Sequence, residues 1–171
     1  NIYVRFAKEK EKLTLLNQQT VELHPHTLVI ADEYHPLAIA GVMGGMDSAV
    51  SQSTQNILIE SAHFTRRAIA GQARKYGLNT QAAYRFERGV DPNLPELALA
   101  RVTDLLLKIA NCEIDEIQTQ IHAEHLPQVE NIYLSKQHIT RHLGMQIDEA
   151  EIIDILQRLH FQVISKEEGW E

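Results

Sequence analysis

The chain has 171 residues, 44% of them hydrophobic and 23% charged, a balance that suits one good core or a core with a small satellite and excludes disordered, collagen-like and low-complexity classes. Sixteen Lys and Arg stand against 23 Asp and Glu, and the net charge of −7 argues against a protein that coats nucleic acid by bulk charge, so any such contact must come from a local basic patch. The single cysteine, Cys112, removes internal disulfides and multi-cysteine zinc sites and fits a reducing compartment, and no apolar run approaches the length of a membrane span.

Residues 1–61 read as strand country. Apolar or alternating runs at 2–6, 13–16, 27–31, 37–42 and 57–61 are separated by Asn, Gln, His-Pro and Gly punctuation. The opening residues lack the layout of a signal peptide, and a strand at the very start and an unfinished hairpin at the end read as a piece of a longer protein. From Thr65 the period changes. Thr65 is placed to cap a helix over 66–76 that buries Ile69, Ala73 and Tyr76, with Gly77 as its left-handed stop.

A second helical stretch is expected over 81–87, ending at Gly89. The longest helix follows, with Asn93 as a candidate cap, Pro95 in the first turn, and Ala98, Val102, Leu105, Leu106 and Ile109 as its apolar stripe. Residues 113–122 read as a strand leading to a linker around Pro127, which sets the expected domains at 1–123 and 124–171. Beyond it the pattern is strand, helix, helix, strand: Ser135 caps a helix through Leu143 that Gly144 ends, Asp148 caps a helix over 149–160, and 161–164 enters a hairpin. That outline is similar to a winged helix-turn-helix.

Four features carry possible chemistry. The histidine pairs His138/His142 and His122/His125 lack the third ligand that a catalytic zinc requires, so no metal site is assigned. The run Gly41-Val42-Met43-Gly44-Gly45 lacks a Walker ending; it is either a tight turn or a place where backbone amides meet a ligand unobstructed by Cβ atoms. Arg66, Arg67, Arg74, Lys75, Arg85 and Arg88 are opposed between residues 65 and 90 by Glu87 alone, leaving five net positive charges. They would track phosphates, with Tyr76, Tyr84 and Phe86 as stacking surfaces, or form solvated helix faces with the aromatics in the core. Glu60 ends an apolar run, where a carboxylate either turns to solvent or faces a pocket that supplies a donor.

Four segments together carry a resemblance: Gly41 to Gly45; Gln55-Asn56-Ile57-Leu58-Ile59-Glu60-Ser61-Ala62-His63-Phe64; Gln72-Ala73-Arg74-Lys75-Tyr76-Gly77-Leu78-Asn79-Thr80; and Tyr84-Arg85-Phe86-Glu87-Arg88-Gly89-Val90-Asp91-Pro92. In order and spacing they resemble the central editing domain of the bacterial phenylalanyl-tRNA synthetase beta subunit, and residues 131–171 resemble the start of the domain that follows. The resemblance implies an α+β fold, a β-sandwich-like editing domain with packed helices followed by a truncated winged-helix-like segment. It implies hydrolysis of tyrosine wrongly attached to tRNA(Phe), in support of ATP-dependent aminoacylation by a cytoplasmic (αβ)₂ enzyme whose synthetic site lies on the alpha subunit.

By motif match Glu60 corresponds to the editing-pocket glutamate, Gly44 to a pocket glycine, and Thr80 and Ala82 to two wall residues. Thr80 is expected to position the attacking water or the terminal ribose, and small Ala82 to leave room for the ring. The family also uses a histidine from an upstream segment, which none of His24, His26 and His35 matches, so half a pocket is expected here. No Ser-His-Asp or Cys-His set is visible, and the expected ester hydrolysis rests on oriented water and neighbouring tRNA hydroxyls. No cofactor is expected in these residues, ATP and Mg²⁺ belonging to the parent's synthetic site. The competing reading is a noncatalytic tRNA-docking or structural module. A DNA-binding regulator is disfavoured by Glu149, Glu151 and Asp154 on the later helices.

Overall fold

A computed structural model describes residues 1–110, 112–128 and 130–171. The chain divides into two compact units, Asn1–Leu126 and Pro127–Glu171. The class is α+β, with antiparallel sheets and several helices.

In the first unit, six short strands are cut to length by the punctuation residues: β1 (Tyr3–Phe6), β2 (Lys12–Thr14), β3 (Thr20–Glu22), β4 (Leu28–Ala31), β5 (Pro36–Ile39) and β6 (Met43–Gly44). Four of them form an antiparallel sheet in the order β1-β4-β5-β6, and β2 and β3 form a hairpin. A single bridge between Leu15 and Gly45 joins the hairpin to the larger sheet. Strand β4 is central, and its Val29, Ile30 and Ala31 are all buried. Leu13, Leu15, Val29 and Ile39 meet Phe64, Ile69, Ala73, Leu78 and Ala83 in one core.

Three short helices supply that second layer: α1 (Arg66–Ile69), α2 (Gln72–Lys75) and α3 (Gln81–Phe86). The single helix expected over 66–76 is therefore two, because Gly71 adopts φ 75° and interrupts the hydrogen-bond ladder. The expected face survives the break, with Ile69 and Ala73 buried and Tyr76 half-buried. Thr65 holds the cap position of α1 without a cap hydrogen bond from its side chain. Gly77 is left-handed, as expected, with φ 67°.

Buried polar groups fasten α2 to the sheet. The hydroxyl of Thr27, fully buried, donates to Gln72 Oε1 at 3.4 Å and pairs with the Tyr76 hydroxyl, which accepts the His24 N–H at 3.0 Å. On the other side, Arg5 grips Glu11 with two bonds of 2.9 and 2.7 Å and closes the β1–β2 connection. The Arg5 hydrogen bonds, with the Lys8 N–H, hold the Glu11 carboxyl below its ordinary pKa.

Two expected strands of the first unit are not strands. Residues 57–61 and 113–122 have no regular structure, since no neighbouring edge takes up their backbone groups. Ile57, Leu58, Ile114, Ile117 and Ile121 are exposed accordingly. Helix α4 (Leu94–Ala110) begins directly after Asn93 and contains the whole expected stripe, yet buries none of its 17 residues. Asn93, expected as its cap, has its side-chain amide bonded to Asp91 at 3.1 Å.

The second unit runs β7 (Leu134–Ser135), α5 (Lys136–Leu143), α6 (Glu149–Arg158), β8 (Ser165–Lys166) and β9 (Gly169–Trp170). Ser135 accepts the His138 N–H and Asp148 the Ala150 N–H, and Gly144 is left-handed, so both caps and the stop stand where the sequence puts them. The hairpin turns at Glu167-Glu168, and β9 pairs with both β7 and β8. Residues 161–164 are not a strand, although Ile164 and Glu171 exchange both backbone bonds. Among the described residues, Ile152, Gly169 and Trp170 form the buried part of this unit. No helix among the described residues is long and apolar enough to cross a membrane.

Candidate functional site

The glycine loop, residues 41–45, takes in the end of the β5–β6 turn and the short strand β6 itself. Gly41 takes φ 64°, and a Cβ there would stand 3.2 Å from Phe86 and 3.3 Å from Ile69, so the backbone runs flush against α3 and α1. Gly45 is buried; its Cβ would overlap the Leu37 carbonyl at 2.7 Å and Leu13 at 2.8 Å. Between these packed ends Gly44 is half-buried, and a Cβ on it would meet only the end of the exposed Leu16 side chain, at 3.3 Å. Backbone bonds fix the sheet side of the loop: Val42 N–H to Ile39 O, Leu16 N–H to Gly44 O, and Gly45 N–H to Leu37 O.

Thr80 fixes the helix side. Its hydroxyl donates to Val42 O at 2.8 Å and accepts the Ala83 N–H at 3.1 Å, capping α3. Ala82 is exposed on the first turn of α3, while its neighbour Ala83 enters the core. Thr80 and the glycine loop are thus in contact, and Ala82 shares the helix that Thr80 caps.

Glu60 lies in the irregular segment before Phe64. The residue is solvent-accessible as a whole, yet protein crowds its carboxyl enough for desolvation to raise its pKa. No hydrogen bond or ion pair within the described residues engages that carboxyl, and none joins Glu60 to Gly44, Thr80 or Ala82. Two surface clefts lie elsewhere. One, of about 190 Å³, is lined by Leu13, Asp32, His35, Leu37, Gly45 and Asp47, and touches the loop only at Gly45. The other, of about 300 Å³, lies beside Glu9, Lys10, Glu22 and His24. In the first, the amides of His35 and Tyr34 occupy the Asp32 carboxylate and lower its pKa, which makes it a turn device.

The six-cation run divides. Arg66 donates to Glu87 O, Arg85 to the Gln81 carbonyl and side chain, and Arg88 to Tyr84 O and Glu87, with its guanidinium 3.7 Å from the Tyr84 ring centre. Arg67, Arg74 and Lys75 are exposed on α1 and α2 and have no side-chain partner among the described residues. Of the aromatics, Tyr76 is tied to the sheet and Phe86 packs on Phe64 at 5.3 Å, which leaves Tyr84 exposed. The rings of His138 and His142 stack at 4.1 Å, and the described residues include no group of three His, Cys, Asp or Glu able to hold a metal.

Three contributors to the site escape a reading by residue type: the Val42 carbonyl, Leu16 over Gly44, and Phe86 against Gly41. The first is backbone, and the Val42–Thr80 contact spans 38 positions, so no local pattern announces it.

Residues 1–111 match the B3/4 domain, and the chain belongs to that family. Over all 171 residues it is 47% identical to the phenylalanine–tRNA ligase beta subunit of Idiomarina loihiensis, covering 22% of that protein. It is 48% identical over 162 residues, 95% of the chain, to the same subunit of Pseudomonas fluorescens, covering 20% of it. With that of Acinetobacter baylyi the identity is 46% over 168 residues, 98% of the chain and 21% of the relative. The chain therefore spans about a fifth of the length of these relatives and corresponds to the part of a phenylalanine–tRNA ligase beta subunit that bears the B3/4 domain.

Proposed function

We propose that these residues carry much of the site at which a phenylalanine–tRNA ligase hydrolyses tyrosine wrongly esterified to tRNA(Phe), with tRNA and an alpha subunit as partners in the cytoplasm. The observation that supports it best is a partly desolvated Glu60 carboxyl, without a partner among the described residues, in a chain whose glycine loop offers backbone close to a helix cap. A synthetic pocket built for a phenyl ring rejects an added hydroxyl by only a factor on the order of 10², so proofreading needs a second site that wants the hydroxyl. Glu60 would accept the hydrogen bond of the phenol, and the Gly44 amide would donate one. Phenylalanine would leave both unmet, at a cost of about 1–3 kcal/mol for a buried polar group and more for a charged one.

The ester would be attacked by water oriented by backbone groups and tRNA hydroxyls, since the described residues supply no nucleophile with an adjacent base. ATP and Mg²⁺ are assigned to the synthetic site of the whole ligase and take no part in this step. The noncatalytic docking reading keeps one observation in its favour: Arg67, Arg74 and Lys75, exposed and without side-chain partners among the described residues, would meet tRNA phosphates. Glu60→Ala in the intact ligase separates the two: clearance of tyrosyl-tRNA should fail while tRNA affinity holds. Unchanged clearance would leave Glu60 structural and favour docking.

A further inference from the structure

We propose that Thr80 is a positioning residue of this site, acting through the glycine loop: its hydroxyl clamps Val42 to the start of α3 and so sets where the Gly44 amide stands. This rests on the editing reading and gives Thr80 a role besides positioning water or ribose, which its second lone pair still permits. A hydroxyl has one hydrogen to donate and two lone pairs. In Thr80 the hydrogen is spent on Val42 O at 2.8 Å and one lone pair on the Ala83 N–H at 3.1 Å. It has no proton left for a ligand.

The consequence follows from how the loop is held. Its sheet side is fixed by backbone bonds at Val42, Gly44 and Gly45. Among the hydrogen bonds of the described residues, the Thr80–Val42 contact is the one that reaches this loop from the helices. Beside it only packing acts, Gly41 lying against Phe86 and Ile69. Val42 precedes Gly44 by two residues, so a shift of its carbonyl moves the amide proposed to meet the phenol. A displacement of about an ångström at a reacting group costs on the order of a hundredfold in rate.

Three substitutions separate the hydroxyl's two bonds. Serine keeps both. Aspartate keeps the cap, accepting from Ala83, and has no proton for Val42 O. Valine matches the shape and keeps neither. In the intact ligase, Thr80→Asp and Thr80→Val should lower tyrosyl-tRNA(Phe) deacylation by about ten- to a hundredfold and narrow the ratio of tyrosyl to phenylalanyl ester hydrolysis, while Thr80→Ser restores both. The ratio is the readout that a general loss of stability would not move.

Gly41→Ala, which pushes the loop off Phe86 without touching Thr80, should narrow the same ratio and serves if the Thr80 variants do not fold. Wild-type ratios in Thr80→Asp, Thr80→Val and Gly41→Ala, with Glu60→Ala inactive, would overturn the clamp and leave the editing reading standing. Failure of Thr80→Ser to rescue would overturn it too, by showing that the methyl group matters. If Glu60→Ala also clears tyrosine normally, the editing reading fails and takes the clamp with it.

Discussion

The three short α-helices of the first unit are anchored in its core, and its longest helix buries no residue. Helices α1, α2 and α3 have four, four and six residues, too few to persist alone, yet they place Ile69, Ala73 and Ala83 in the core. Helix α4 has 17 residues, most of them good helix formers, and buries none of them, with Ile109 80% exposed. Periodicity alone thus says little about stability; what counts is whether an apolar face meets a partner. The glycine loop and Thr80 lie on the anchored side of this divide, where a site can be held in one geometry.

The largest effect expected from that contrast is a core deletion. Ile69→Ala should cost about 2–5 kcal/mol and Ile109→Ala no more than about 0.5 kcal/mol, read by chemical denaturation; equal losses would dissolve the contrast. Gly45→Ala comes next, at about 1–3 kcal/mol, because the added methyl meets the Leu37 carbonyl. Gly44→Ala should cost less, since the Leu16 side chain can swing away. Tyr76→Phe, which leaves the His24 N–H without its partner and removes the Thr27 bond, should lower stability by about 1 kcal/mol or somewhat more.

Two smaller effects depend on pH. Hydrogen bonds from Arg5 lower the Glu11 pKa, so the native state binds its proton later than the unfolded chain. That stabilisation is whole above the ordinary carboxylate pKa and is lost as pH falls through the lowered value. Arg5→Ala should remove about 1 kcal/mol at neutral pH and flatten the acid limb of the stability curve. Glu60 has the opposite sign. Desolvation raises its pKa, so its contribution turns unfavourable as pH rises from the ordinary value through the raised one. Glu60→Gln should therefore raise the melting temperature at neutral pH, and a fall would mean that the carboxylate has a partner.

Much of this arrangement is legible in residue types. Ser135, Asp148, Gly77 and Gly144 mark their helix ends because caps and left-handed stops are local chemistry. Residues 57–61 and 113–122 read as strands and are not, because a strand needs an edge to pair with, and pairing is not a property of the segment. The break at Gly71 was open to the same local reasoning, which the continuous apolar face obscures. For the proposed site, the motifs single out Gly44, Glu60, Thr80 and Ala82, while the bond from Thr80 to Val42 becomes visible only once the backbone is folded.

The central claim, that Glu60 reads the phenol, is tested most directly by hydrolysing tyrosyl- and phenylalanyl-tRNA(Phe) side by side with the parent ligase and with Glu60→Gln. A charge-assisted hydrogen bond of about 1.5–3 kcal/mol predicts a parent preference for the tyrosyl ester of roughly ten- to a hundredfold. In Glu60→Gln that preference should collapse toward one through slower tyrosyl hydrolysis, the phenylalanyl rate staying where it was. A variant that keeps the parent's ratio would contradict the account.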